Sequence, residues 1–160
     1  MKKLLVLILL VATASYGTAQ NLSSSYPVYN GKDLGLTYSP KAATFKIWAP
    51  TATAATLNLY KSDMGGNAVR SINMNKGENG VWQITLPENL KNSYYTFQVN
   101  INNTWSEEVV DPYAKACGTN GLRAQVIDLN ETNPVGWAQD KSPNFSVSNK
   151  QTDAVIYELH

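Results

Sequence analysis

Carboxylates, thiols and imidazoles are the side chains that most often do chemistry, and this sequence offers few in usable arrangements. Glu107, Glu108 and Asp111 stand close together, and paired carboxylates can serve as general acid and general base. Adjacent residues of a strand face opposite ways, however, so Glu107 and Glu108 cannot form such a pair. Asp111 precedes Pro112, a position where an Asp side chain starts a turn by accepting nearby backbone N–H groups. We read these carboxylates as solvated or turn-forming. Cys117 is the single Cys and His160 the single His. Cys117 has neither a disulfide partner nor a neighbouring His to activate it, and reads as a small junction residue. His160 has no triad partners, and one His with one Cys cannot complete a His-rich metal site. Gly65-Gly66 lacks the following Lys-Ser/Thr and the helix of a phosphate loop, and reads as a turn. We assign no catalytic residue, no metal and no cofactor.

The elements around these residues are set by composition and periodicity. The chain has 160 residues, 43% of them hydrophobic, which gives room for one ordinary domain core. Thirteen basic residues stand against twelve acidic ones. That near-balance excludes a nucleic-acid binder, which carries a basic stripe to meet phosphates.

The N-terminus reads as an export signal. Met1-Lys2-Lys3 opens with positive charge, an apolar run follows from Leu4 to Ala12, and Gly17 and Ala19 supply small residues before Gln20. The apolar run is too short to span a bilayer, which needs about 20 residues in a helix. The expected cut lies before Gln20. The mature protein is then exported, to the periplasm, cell surface or medium, without a membrane span.

From there the pattern is of strands. Thr44 to Ala49 alternates and stops at Pro50; Leu57 and Leu59 alternate with Thr56, Asn58 and Tyr60. Val69, Ile72 and Met74 give a weaker run. Val81 to Leu86, Tyr95 to Ile101, Trp105 to Val110 and Ala124 to Leu129 complete the set. Alternation of β-branched and aromatic residues with polar ones is what a half-buried strand requires. Turn signals separate the runs, among them Gly77-Glu78-Asn79-Gly80, Asn102-Asn103 and Asn120-Gly121. About seven short strands at this spacing indicate an all-β, immunoglobulin-like sandwich. Its expected core is Phe45, Ile47, Leu57, Leu59, Trp82, Phe97 and Val99, with Trp48 also packed inside. Asn130 to Lys150 is rich in Asn, Pro, Ser and Lys and reads as a linker or a wrapping segment. Asp153 to His160 then opens a new apolar run of the kind buried on both faces in parallel sheets, as though the sequence were truncated.

Certain phrases resemble a known family. Tyr29-Asn30-Gly31-Lys32-Asp33-Leu34-Gly35-Leu36-Thr37-Tyr38, followed by Phe45-Lys46-Ile47-Trp48-Ala49-Pro50-Thr51-Ala52, resembles the start of type I pullulanases. Glu108 to Ala116 is similar to that family's junction between module and barrel. Asn120-Gly121-Leu122-Arg123, Asp128-Leu129 and Thr132 to Trp137 continue the likeness, and Asp153 to His160 resembles the first strand of the family's (β/α)₈ barrel. The resemblance implies a signal peptide at 1–19, a polar leader at 20–25, a family 48 carbohydrate-binding module at 26–131, a linker at 132–152 and the truncated start of a glycoside hydrolase barrel at 153–160. It implies a full-length parent that hydrolyses α-1,6-glucosidic branch points of pullulan, starch or glycogen, with the module contacting the barrel. Such hydrolysis needs two carboxyl groups about 5 Å apart, which the family carries beyond His160. This chain alone is then not an active enzyme. The alternative is a stand-alone carbohydrate-binding or scaffolding sandwich.

Within that resemblance, Trp105 is similar in position to a sugar-contacting Trp of glycogen-binding members of the wider module family. A sugar ring stacks its apolar face on such an aromatic and turns its hydroxyls to polar neighbours. The candidate substrate-binding residues are therefore Trp105, Tyr94 and Asn103. Where those members supply a Lys, this sequence has Thr96 in Tyr95-Thr96-Phe97. Trp137 is expected to pack at the junction rather than bind ligand.

Overall fold

The structure, a computed structural model, describes residues 26–141 and 157–158. The expected signal, the leader and all but Tyr157 and Glu158 of the barrel-like run lie outside the described residues.

Nine strands form among the described residues: β1 (Gly35–Ser39), β2 (Ala42–Trp48), β3 (Ala54–Tyr60), β4 (Arg70–Asn73), β5 (Asn75–Lys76), β6 (Val81–Leu86), β7 (Tyr94–Ile101), β8 (Thr104–Trp105) and β9 (Ala124–Gln125). They make two antiparallel sheets. The first has the order β1-β2-β6-β5, and the second β4-β3-β7-β8, with β9 pairing the other end of β7. The described residues carry no α-helix. This is the expected sandwich.

Alternation explains the packing. Ala43, Phe45 and Ile47 of β2 point inward, as do Ala55, Leu57 and Leu59 of β3 and Tyr95 and Phe97 of β7. Their rings interlock edge to face, Phe45 with Tyr95 at 4.9 Å and Tyr95 with Phe97 at 5.6 Å between centroids. Such pairs add roughly 0.5–1.5 kcal/mol each beyond the area they bury. Trp82 closes the same core. Val99 is half-buried and packs against this core.

Other details depart from the expected pattern. Trp48 is 43% exposed, not core: Phe45 and Ile47 face inward, so the next residue must face out. Its indole N–H donates to the Asn79 carbonyl at 3.0 Å. The Val69–Met74 run forms one strand, shortened to β4, and a second short strand follows it directly. Arg70–Asn73 joins the second sheet and Asn75–Lys76 the first, with Met74 buried where the chain crosses between them. Trp105 to Val110 is regular only at β8, after which Phe97 bridges to Val109. Ala124 to Leu129 is regular only at β9. Both segments share the one edge of β7, so neither can run its full length. β1, an edge strand of Gly, Leu, Thr, Tyr and Ser, showed no periodicity strong enough to be expected.

Candidate functional site

The outer face of the second sheet carries the candidate residues. Trp105 pairs with Asn100, Thr56 with Gln98, Asn58 with Thr96 and Tyr60 with Tyr94. Paired residues face the same way, so Trp105 and Tyr94 do share this face. Six positions of β7 separate Asn100 from Tyr94, a distance of about 20 Å at strand rise. The fold therefore brings Trp105 and Asn103 together at one end of the strip and leaves Tyr94 at the other.

The Trp105 end is open. Asn102 and Asn103 both take positive φ, 53° and 63°, which makes a tight two-residue hairpin whose twist matches the strands. That turn lifts Trp105 onto the sheet edge with 47% of its surface exposed. Beside it the polar side chains are held in place. Thr53 Oγ1 donates to Asn100 Oδ1 at 3.0 Å, and Gln98 Nε2 donates to the Ser106 carbonyl at 3.0 Å. Asn58 Nδ2 donates to Gln98 Oε1 at 3.0 Å. The result is an exposed flat aromatic at the sheet edge, next to a row of amides that hold one another in place.

The opposite end is closed on itself. Thr96 is 1% exposed and its hydroxyl donates to Glu108 at 2.8 Å. Tyr60 donates to the same Glu108 oxygen. Burial, and then that bond, push the Tyr60 phenol above its ordinary pKa. The Arg123 guanidinium lies 3.5 Å from the centre of the Tyr60 ring. It donates from Nη1 to the carbonyls of Ser62 and Gly65 at 2.9 and 2.8 Å, and from Nη2 to that of Gly66 at 3.3 Å. Gly65 and Gly66 form the expected turn, both at positive φ. Thr96 is thus sealed by protein and offers a ligand nothing. Sequence reasoning missed Arg123 as a brace, and its one signal was an Arg directly before the buried Ala124.

The carboxylates do not pair for catalysis. Glu107 is exposed and Glu108 is committed to Tyr60 and Thr96. Asp111 forms its turn, accepting from the Tyr113 N–H at 2.8 Å, but it is not solvated. It is 2% exposed and also accepts from Tyr95 Oη at 2.7 Å. Burial drives its carboxyl above the ordinary value, against the hydrogen bonds from Tyr95 and Tyr113. Among the described residues no group of three or more His, Cys, Asp or Glu could hold a metal ion. Cys117 is exposed.

A second exposed region was not expected from sequence. Trp48 and Tyr113 are shared by two adjoining apolar grooves, of about 360 and 320 Å³. One is walled by the arm Tyr26–Tyr29. The other opens onto Ile47, Phe97 and Val99, where the core reaches the surface. Trp137 lies beyond the sandwich and is exposed.

This geometry can be set beside known proteins. The profile of carbohydrate-binding module 48 (isoamylase N-terminal domain) matches residues 33–114. A pullulanase of Bacillus subtilis (strain 168) is 36% identical over 132 residues, which cover 82% of this chain and 17% of that protein. The crystal structure of pullulanase from Paenibacillus barengoltzii in complex with maltohexaose and α-cyclodextrin is 42% identical. It superposes with a TM-score of 0.73 over 84% of this chain and 20% of that one. Pullulanase from Anoxybacillus sp. LM18-11, complexed with maltotetraose, is 37% identical with a TM-score of 0.67, over 84% of this chain and 18% of its own. The chain therefore spans about a fifth or less of these relatives. On the profile match and the two-sheet sandwich together, the chain belongs to the carbohydrate-binding module 48 family.

Proposed function

We propose that this chain is the non-catalytic accessory module of an exported, pullulanase-type α-glucan debranching enzyme, and that it holds α-glucan on Trp105. The observation that carries the reading is the exposed Trp105 ring beside its fixed Asn and Gln side chains, in a module of this family. Relatives complexed with maltohexaose and maltotetraose support α-glucan as the ligand class. Asn103, in the turn two residues before Trp105, is its candidate polar neighbour. Tyr94 is too far along β7 to touch the same sugar, and takes no part.

Hydrolysis of α-1,6 bonds belongs in this reading to polypeptide outside the chain, since Glu107, Glu108 and Asp111 give no nucleophile and acid pair. The apolar grooves at Trp48 and Tyr113 are the surface that the remainder of the enzyme covers. The length of the relatives supports that occupant, and exposed apolar patches of this kind are commonly interfaces. Export rests on the Lys2-Lys3 start, the apolar run and the small residues before Gln20. N-terminal sequencing of secreted protein checks it, with Gln20 expected first.

Affinity electrophoresis through pullulan-containing gels tests the binding claim. Wild-type chain is expected to be retarded and Trp105→Ala to be retarded clearly less. Equal retardation of both would remove Trp105 from the site. Purified chain is expected to release no reducing sugar from pullulan, and release abolished by substituting Glu108 or Asp111 would overturn the accessory role.

A further inference from the structure

A cleft of about 380 Å³ lies between the edge strands of the two sheets, β1 and β9. It is separate from the Trp105 end and shares only Tyr113 with the apolar grooves. Tyr38 forms one side, Gln125 the other, and Tyr113, Lys115, Asp128 and Asn130 close it. It is at the far end of β7 from Trp105, because β9 pairs with Tyr94 and Tyr95 while β8 pairs with Asn100 and Ile101.

Its walls are preorganised. Tyr38 Oη donates to Asn89 Oδ1 at 2.8 Å, which fixes that ring. Asp111 anchors the Tyr113 backbone and the Tyr95 hydroxyl at the base. Asp128 Oδ1 accepts from both the backbone and the side-chain nitrogen of Asn130 at 3.0 Å, leaving Oδ2 available. The side chains of Lys115 and Gln125 make no hydrogen bond among the described residues.

The available groups select a ligand class. A cation would meet Lys115, an anion would meet Asp128, and an apolar peptide would strand both. A neutral ring bearing hydroxyls satisfies all of them, because each hydroxyl can donate to Asp128 and accept from Lys115 or Gln125. The rings of Tyr38 and Tyr113 offer apolar faces for its C–H bonds. The volume is at the low end of the roughly 300–1,000 Å³ of small-molecule sites, which suits a short ligand.

We propose that this cleft is a second carbohydrate site, taking a short neutral segment or end of an α-glucan. The identity of the sugar rests on the α-glucan reading above; the site itself does not depend on Trp105. The test is an amide-resolved NMR titration of the chain with maltotriose, on wild type, Trp105→Ala, Lys115→Met and Asp128→Asn. Saturable shifts at Tyr113, Lys115, Gln125 and Asp128 are expected in wild type and unchanged in Trp105→Ala. Lys115→Met and Asp128→Asn, with otherwise native spectra, are each expected to raise the Kd read from those shifts by about tenfold, the loss of one charged hydrogen bond. Shifts confined to residues 98–105 would overturn the cleft and spare the Trp105 platform. No saturable shift anywhere would overturn both. Cleft shifts that persist unchanged in both charge variants would place the ligand elsewhere and overturn the proposal.

Discussion

The two ends of one sheet face have been put to opposite uses. At the end nearer β9, Tyr60, Thr96, Glu108 and Arg123 satisfy one another, and a buried charge is spent on three backbone carbonyls. At the β8 end, Trp105 stands exposed beside amides that hold one another in place. Both ends are aromatic and polar in composition. What separates them is whether the aromatic ring is open: Trp105 is 47% exposed and Tyr60 3%. A place on the outer face therefore does not make a site: the Thr96 hydroxyl is sealed under Glu108.

The sharpest way to break this contrast is to remove the brace. Arg123→Ala strands the carbonyls of Ser62, Gly65 and Gly66 and removes the stack on Tyr60. We expect a loss of about 1–2 kcal/mol in urea unfolding, from the lost charged hydrogen bonds to an exposed turn and a lost cation–π contact. Glucan affinity of the folded fraction should be unchanged. A loss of affinity without a loss of stability would mean that Arg123 serves the ligand.

Asp111 sharpens the same lesson in a buried carboxyl. Its folded pKa lies above the ordinary value, so protonation favours the folded chain. Its stabilising contribution is fully present below the unfolded pKa of about 3.9. It is lost as pH rises through the raised folded value. Asp111→Asn should therefore flatten the dependence of unfolding free energy on pH just above 4, measured against wild type. An unaltered profile would show that Asp111 ionises freely.

Asn103 gives the smallest expected change. Asn103→Gly keeps the positive-φ turn and deletes only the side chain, so stability should shift by a few tenths of a kcal/mol. Glucan affinity should fall by at most about 1 kcal/mol, one neutral hydrogen bond, as read from a binding isotherm.

How much of this was legible beforehand varies with the range of the interaction. Strands β2, β3, β6 and β7 were legible because half-burial imposes alternation on each segment by itself. Trp48 was misread by weighing its size over its parity with Phe45 and Ile47. The crossing at Met74 and the truncation of β8 and β9 depend on which strands compete for an edge, which no local pattern records. The exposure of Trp105 was foreshadowed by Asn102-Asn103. That Tyr94 shares its face but stands a strand's length away needed the register. Arg123 and the β1–β9 cleft join residues far apart in sequence, and only the fold assembles them.

The central claim is that, on the outer face of the second sheet, α-glucan is held by Trp105 and not by the closed Tyr60–Glu108–Arg123 cluster. Isothermal titration calorimetry with maltohexaose on wild type, Trp105→Ala and Tyr94→Ala tests it most directly. The account predicts saturable binding in which Trp105→Ala costs at least about tenfold in Kd, roughly 1.4 kcal/mol, while Tyr94→Ala binds as wild type does. Full affinity in Trp105→Ala, or its loss in Tyr94→Ala with the fold intact, would contradict it.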